Sequence, residues 1–446
     1  MTKKKAALHN LGCKVNAYET EAMQQMLEEN GYEIVPFAPG ADLYIINTCS
    51  VTNIADRKSR QMLHKARKMN PEAVVVAAGC YVQAAKEEVE KDPAIDLVIG
   101  NNKKKDLIAI LEEFENRRRN SGNAPEGKET DWVIDINHTK EYEELAISRT
   151  AEHTRAYIKV QDGCNQFCSY CIIPYTRGRV RSRKLADVCA EVETLAKAGF
   201  QEVVLTGIHL SSYGVDTGSS LLELICRIHE IEGIKRIRLG SLEPRIITEE
   251  FVGTLSKMEK ICPHFHLSLQ SGCDATLKRM NRRYTAGEYF EKCEMLREAF
   301  GRPALTTDVI VGFPGETEEE FRVTREFLEK VAFYETHVFK YSRRKGTRAA
   351  VMEGQVPEQV KAERSEVLLE LCERNKRGFE EKFVGSVQGV LLEEEQMLEG
   401  ERFWTGYTKE YVRVAVPVKE GMENRIWKVR ISGERREGIL VGEVLA

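Results

Sequence analysis

A chain of 446 residues is too long for one compact core, and with 42% hydrophobic and 30% charged side chains it reads as a globular protein of two to four domains. The formal net charge of -4 excludes a uniformly basic surface, so any nucleic-acid contact has to rest on local clusters. Twelve cysteines at this length exclude the small secreted disulfide scaffold, and the longest apolar run, residues 73–82, is far short of the roughly 20 residues that cross a bilayer.

Lys3, Lys4 and Lys5 imitate the start of a signal peptide, but His9, Asn10 and Lys14 stand where its apolar segment would be. A cytoplasmic protein with reduced thiols and no membrane contact is expected. In residues 1–116, apolar runs at 34–35, 43–46 and 74–78 predict buried strands, and 19–29 and 55–69 predict helices. This alternation suits a small α/β domain with a mostly parallel sheet. Residues 117–149 are polar and read as a linker. Within them Gly122-x4-Gly127-Lys128 nearly spells a phosphate-binding loop, but Glu129 replaces the required hydroxyl and no strand precedes it.

Residues 150–378 hold six strand-like runs (156–160, 202–206, 234–239, 264–269, 305–311 and 335–341), each followed by an amphipathic segment. That pattern predicts a partial (βα)6 barrel with its chemistry at the C-terminal strand ends. From 382 to 446, short runs at 386–392, 404–407, 412–418, 427–431 and 438–444 predict an antiparallel barrel of OB-like type.

Cys164-x3-Cys168-x2-Cys171 follows the first barrel strand. Three thiolates on one loop can wrap a [4Fe-4S] cube and leave one iron without a protein ligand. An open metal position is a catalytic feature, and the amino and carboxylate groups of S-adenosylmethionine (SAM) can chelate it. A zinc site would call for a further ligand pair nearby, and only His153 offers itself. Cys13, Cys49 and Cys80 each lie at or near the end of an apolar run. Strand ends of a parallel sheet converge on one edge, so these thiols could meet there, or could simply be three small buried hydrophobes. Cys189, Cys226, Cys262, Cys273, Cys293 and Cys372 show no cluster spacing.

The triad, with Pro174-Tyr175-Thr176-Arg177-Gly178 behind it, resembles the methylthiotransferase family of radical-SAM enzymes. Other stretches carry the same resemblance: residues 11–16 (Leu-Gly-Cys-Lys-Val-Asn), 47–52, 205–207, 269–272 and 311–317. The resemblance implies a second [4Fe-4S] cluster on Cys13, Cys49 and Cys80 that donates sulfur, a radical-SAM core, and a C-terminal TRAM domain. It also implies SAM contacts: Tyr170 near adenine, Gly207 beside the methionine moiety, Ser268 and Gln270 on the ribose, then Asp308, Gly312 and Phe313. Each of these has ordinary barrel packing as its alternative, and Thr317-x-x-Glu320 is a helix capping box.

Three basic clusters then acquire meaning as a phosphate-tracking surface, although a charge run is ordinarily a solvated face. They are Arg57, Lys58, Arg60, Lys65, Arg67 and Lys68; Arg177, Arg179, Arg181, Arg183 and Lys184; and Lys340, Arg343, Arg344, Lys345 and Arg348. The second is expected to line a path to a tRNA anticodon stem-loop. The C-terminal segment carries 10 basic and 11 acidic residues from Lys382 onward, so it would meet RNA through aromatics such as Trp404, Tyr407 and Tyr411.

Within the family, Gly12-Cys13-Lys14-Val15-Asn16, residues 53–57 and Thr206-Gly207-Ile208-His209 look most like the branch that methylthiolates N6-threonylcarbamoyladenosine at position 37 of tRNA. The rivals are the isopentenyladenosine branch, the branch acting on a ribosomal-protein aspartate, and a non-catalytic iron–sulfur RNA-binding protein. A flavodoxin- or ferredoxin-like electron donor is expected as a partner.

Overall fold

The computed structural model describes residues 3–121, 132–149 and 154–445. Strands β1 (Lys5–Asn10), β2 (Glu33–Ile34), β3 (Leu43–Thr48), β4 (Val74–Gly79) and β5 (Leu97–Ile99) form one sheet in the order β2-β1-β3-β4-β5, parallel throughout. β1 is not among the expected strands, because its alanines and polar ends give a weak apolar signal. Helix α1 (Lys14–Glu29) begins five residues before the expected start, and α2 (Asn53–Met69) is capped by Thr52, which accepts from the backbone N–H of Ala55. Met23 and Leu27 of α1 cover one face of the sheet together with the helix Leu107–Ser121, while Leu63 and Ala66 of α2 cover the other. The result is a three-layer α/β/α unit.

Six parallel strands follow: β6 (Ala156–Asp162), β8 (Glu202–Gly207), β9 (Arg236–Leu239), β10 (His264–His266), β11 (Ala304–Val311) and β12 (Glu335–Lys340). A short β7 (Arg181–Ser182) pairs antiparallel with the end of β6. The sheets β7-β6-β8-β9 and β10-β11-β12 are joined by the parallel bridges Ile237–Ile261 and Leu242–Leu267, and Gln270–Val309 extends the pairing of β10 with β11. Among the described residues β12 does not pair with β6, so this is an open barrel of six parallel strands. Alternate residues Ala156, Ile158 and Val160 join the apolar layer that contains Val188, Val192 and Leu195 of the helix Leu185–Lys197. Tyr157, Lys159 and Gln161 therefore face the barrel interior.

Strands β13 (Val387–Leu398), β14 (Glu401–Tyr407), β15 (Arg413–Pro417), β16 (Ile426–Arg436) and β17 (Ile439–Val444) close a small barrel in the order β13-β14-β15-β17-β16. This is the antiparallel, OB-like barrel expected from the sequence, with one parallel pair, β15 and β17. A ring of five strands cannot alternate direction all the way round, so one neighbouring pair has to be parallel. This barrel docks on the N-terminal ends of the central strands. Arg155 pairs with Glu393 at 2.7 Å, Arg236 donates to the carbonyls of Tyr407 and Gly389, and Tyr411 stacks on His264 at 4.7 Å. Tyr407 and Tyr411 are thus part of the docking, which corrects their expected availability to RNA.

The described part of the expected linker is packed. Ile136, Leu145 and Ile147 are buried, and Glu143 accepts from the backbone N–H groups of Asn102 and Lys104. The helix Leu107–Ser121 also runs past the expected edge at 116. The near-phosphate loop at 122–128 and His153 lie outside the described residues. Among those residues no helix is long and apolar enough to cross a membrane.

Candidate active site

Cys49 and Cys80 directly follow β3 and β4, and Cys13 caps α1 three residues after β1. The register that sets Asn10 beside Asn47, and Thr48 beside Gly79, brings the three ends together. Two glycines make the approach possible. Gly12 has φ +112°, and a Cβ there would lie 2.8 Å from Cys49 Cβ; Gly79 has φ +95°, and a Cβ there would lie 2.6 Å from Asn47 Oδ1. Cys80 Sγ accepts from Arg177 Nε at 3.2 Å and Asn101 Nδ2 at 3.5 Å.

The second trio sits on the loop after β6. Cys164 N–H donates to Gly178 O and Cys171 N–H to Cys168 O, while Ser169 N–H donates to Met280 O and Asn281 Nδ2 to Phe167 O, which pins the loop to the segment 280–281. Arg282 donates through Nη1 to Cys168 Sγ at 3.3 Å and through Nη2 to Ser268 O at 2.9 Å. Burial pushes Cys164 up to about 11 and both Cys171 and Cys49 up to about 12. Such thiols ionise only when a cation compensates, which the irons of a cluster would do. The N–H donors at Cys80, Cys164 (from Gln166 N–H at 3.4 Å) and Cys168 complement thiolate sulfur. Both trios therefore fit the donor set of a [4Fe-4S] cluster.

Arg177, Arg181 and Arg183 require a correction. They are 0%, 1% and 3% exposed, so they do not form an RNA-facing strip. Their alternate spacing does put them on one side, but β7 pairs with β6 and turns that side inward. Arg177 reaches Glu19, Asn16 and Asp162; Arg181 donates to the carbonyls of Arg177 and Arg179; Arg183 pairs with Glu191. Of these arginines Arg179 alone is exposed, its guanidinium 4.5 Å from the Phe167 ring centre, and Lys184 at the end of the cluster is exposed as well. Lys104 and Lys159 also meet Glu19, at 3.0 and 2.7 Å. Burial alone would raise the Glu19 carboxyl, but Arg177, Lys104 and Lys159 together hold it well below the usual carboxylate range. The network joins the first domain to the barrel and sets positive charge beside Cys80.

The remaining expected residues line the mouth and interior of the barrel. Tyr170 packs edge-on to Phe313, which is fully buried behind it. Gly207 ends β8 against Gln161, Gly312 lies against Lys361, and Gln270, at φ 74°, bridges to Val309. Ser268 Oγ is 3.2 Å from Ser241 Oγ. Asp308 Oδ2 meets His266 Nε2 at 3.2 Å, and His337 stands close enough to complete a His–Asp–His group. Arg282, His266 and His337 were not singled out from sequence, because each lies in a stretch without a motif of its own; Lys14 stood out only as part of the motif at residues 11–16, with no role of its own. The Lys14 ammonium is open to solvent but surrounded on most sides by protein, and burial with the charges of Arg155 and Arg238 pushes it down to about 8.

An exposed cationic rim remains. Arg57, Lys58, Arg60, Lys65 and Lys68 of α2 are exposed, as are Lys340, Arg343, Lys345 and Arg348 after β12. Buried Arg344 ties the two together by donating to Asp56, Asn53 Oδ1 and Ser50 Oγ.

A family described as radical SAM superfamily matches residues 158–328, and one described as uncharacterized protein family UPF0004 matches residues 5–100. The structure of the radical SAM methyltransferase TsrM from Kitasatospora setae shares the fold, with TM-score 0.56 at 17% identity over 78% of this chain and 77% of that one. An open parallel barrel with a three-cysteine loop at its C-terminal strand ends thus defines a radical-SAM protein. The chain is 40% identical over 428 residues to threonylcarbamoyladenosine tRNA methylthiotransferase MtaB of Bacillus subtilis (strain 168), covering 95% of this chain and 93% of that one. It is 36% identical to tRNA-2-methylthio-N(6)-dimethylallyladenosine synthase of Acetivibrio thermocellus, over 96% of this chain and 89% of that one. It belongs to the methylthiotransferase family of radical-SAM enzymes.

Proposed function

We propose that this protein converts N6-threonylcarbamoyladenosine at position 37 of tRNA, beside the anticodon, to its 2-methylthio derivative. The observation that carries the reading is the short tie between the two thiol trios: Arg177 stands six residues after Cys171, and its guanidinium meets Cys80. The substrate follows from 40% identity over 95% of the chain with the B. subtilis enzyme.

The C2–H of adenine is unactivated and resists acid–base chemistry, so the reaction calls for a radical cofactor. When bound, SAM and two [4Fe-4S] clusters supply one-electron cleavage to a 5′-deoxyadenosyl radical, a methyl group from a second SAM, and the sulfur. Cys164, Cys168 and Cys171 would hold the SAM-cleaving cluster, and Cys13, Cys49 and Cys80 the sulfur-donating one. Tyr170, Gly207, Ser268, Gln270, Asp308 and Gly312 surround SAM, with Phe313 backing Tyr170. Arg282 offsets the negative charge at Cys168 and fixes the Ser268 carbonyl. The rim of α2 and residues 340–348 tracks the phosphates of the anticodon stem-loop, from which a single-stranded base is splayed inward at modest cost. The closed C-terminal barrel is the TRAM domain. A flavodoxin- or ferredoxin-like protein supplies electrons, and a tRNA substrate places the reaction in the cytoplasm.

Nucleoside analysis of tRNA from a deletion strain tests the reading. Loss of 2-methylthio-threonylcarbamoyladenosine alone is the expected result. Loss of the dimethylallyl analogue would reassign the substrate, and unchanged tRNA would sink the proposal.

A further inference from the structure

The barrel interior is charged where most parallel barrels are apolar, and its carboxylates are already engaged. Glu202 pairs with Arg238 at 2.7 Å and with Arg236 at 3.4 Å, Glu393 pairs with Arg155 at 2.7 Å, and Asp308 meets His266 at 3.2 Å. The two arginines nearest Lys14, Arg155 and Arg238, are held rigidly. Arg238 donates to the carbonyls of Lys409 and Thr408, and the guanidinium carbons of Arg155 and Arg238 lie 5.1 and 4.8 Å from the Tyr411 ring centre. Lys14 is different. Its Nζ stands 6.0 Å from the Tyr157 ring centre, with Arg155, Arg238 and, more weakly, the already paired Glu202 in Coulombic reach, and among the described residues no carboxylate or hydrogen-bond acceptor meets it directly. An unpartnered ammonium, open to solvent in a partly enclosed interior that other fixed cations make still more positive, is a receptor for an anion.

The position of Lys14 says which anion. Its backbone follows Cys13, a ligand of the proposed sulfur-donating cluster, while its ammonium reaches toward Tyr157 in the barrel interior, so a base presented to that cluster brings its substituent within the side chain's reach. In the purine ring C2 and the carbon bearing N6 flank the same nitrogen, N1, so an N6 substituent lies beside the C2 position. The two relatives named above differ in that substituent: threonylcarbamoyl carries a carboxylate, whereas dimethylallyl is apolar. We infer that Lys14 binds the carboxylate of the threonylcarbamoyl group and thereby selects an anionic N6 substituent over an apolar one. This assignment rests on the proposed function and names the residue that reads its substrate. A point charge in a partly enclosed interior discriminates strongly, because an uncharged substituent leaves the ammonium unpaired.

The test is binding by fluorescence anisotropy to the cluster-loaded full chain, using synthetic anticodon stem-loops that carry threonylcarbamoyladenosine, its methyl ester, or dimethylallyladenosine. The wild type is expected to bind the acid about 10- to 100-fold more tightly than the ester. Lys14→Met should erase that gap by weakening the acid alone, and Lys14→Arg should keep part of it. Iron content and visible spectra establish that the variants retain both clusters. Equal binding of acid and ester by the wild type overturns the assignment without any variant, and so does a Lys14→Met protein that preserves the gap. A wild type that methylthiolates the threonylcarbamoyl tRNA yet ignores esterification sinks only the role of Lys14. One that never turns over that tRNA sinks the function itself.

Discussion

Arg177 Nε lies 3.2 Å from Cys80 Sγ, with Glu19 and Asp162 on the other side of the same guanidinium. One side chain thus spans two domains: it emerges from the cysteine loop of the barrel and ends at a thiol of the first sheet. Removing one partner of a buried ionic network leaves the rest uncompensated, at about 3–5 kcal/mol. Arg177→Gln is therefore expected to lower thermal stability and to cut iron at the N-terminal trio, while the barrel trio keeps its own. Arg177→Lys should rescue poorly, since an ammonium cannot reproduce the fork that meets Cys80, Asn16 and Glu19 at once. Wild-type melting and full iron in Arg177→Gln would contradict this.

The two trios should be separable. Cys168→Ala is expected to remove about half the iron and all reductive cleavage of SAM, because two thiolates hold a site-differentiated cube poorly. Cys49→Ala should leave that cleavage largely intact and abolish sulfur insertion. Assay of 5′-deoxyadenosine beside tRNA nucleosides reads both, and methylthiolated product from Cys49→Ala would refute the second site.

Gly79→Ala tests how the first trio is assembled. At φ +95° the added Cβ would lie 2.6 Å from Asn47 Oδ1 and 2.9 Å from the Thr48 carbonyl, so Cys80 has to shift. Strain of this kind costs on the order of 1–3 kcal/mol, and the N-terminal iron should fall while SAM cleavage persists. An alanine variant with both clusters at wild-type occupancy would show that the turn tolerates a side chain.

RNA binding should follow the exposed rim and not the inward arginines. Joint replacement of Lys340, Arg343, Lys345 and Arg348 by Gln is expected to weaken tRNA binding and to flatten its salt dependence by about 0.7–0.9 for each phosphate no longer neutralised. SAM cleavage without tRNA should hardly change. By contrast, Arg181→Gln and Arg183→Gln should lower stability before they touch the salt slope. An unchanged slope in the rim variant would return residues 340–348 to a merely solvated surface.

Much of this was legible in local pattern. The Cys-x3-Cys-x2-Cys spacing, the six strand runs and the five strands at the C-terminal end announce themselves, because apolar period and ligand spacing are properties of neighbours in sequence. β1 was not, since Ala6 and Ala7 are too small to stand out although both are fully buried.

Charge was the least legible property. Whether an arginine meets RNA or a carboxylate depends on partners that sequence does not place nearby: Arg177 finds Glu19 at a separation of 158 residues, and Arg344 finds Asp56 at 288. Tyr411 looked like an RNA-binding aromatic and instead stacks on His264 at the floor of the barrel. By itself the sequence determined the thiol spacing, most of the strand runs and the three-part plan, because backbone propensity and ligand geometry act over a few residues. Only the tertiary structure decided which cations are spent in ion pairs and which, like Lys14, stay free, because desolvation and pairing are settled by segments that meet after folding.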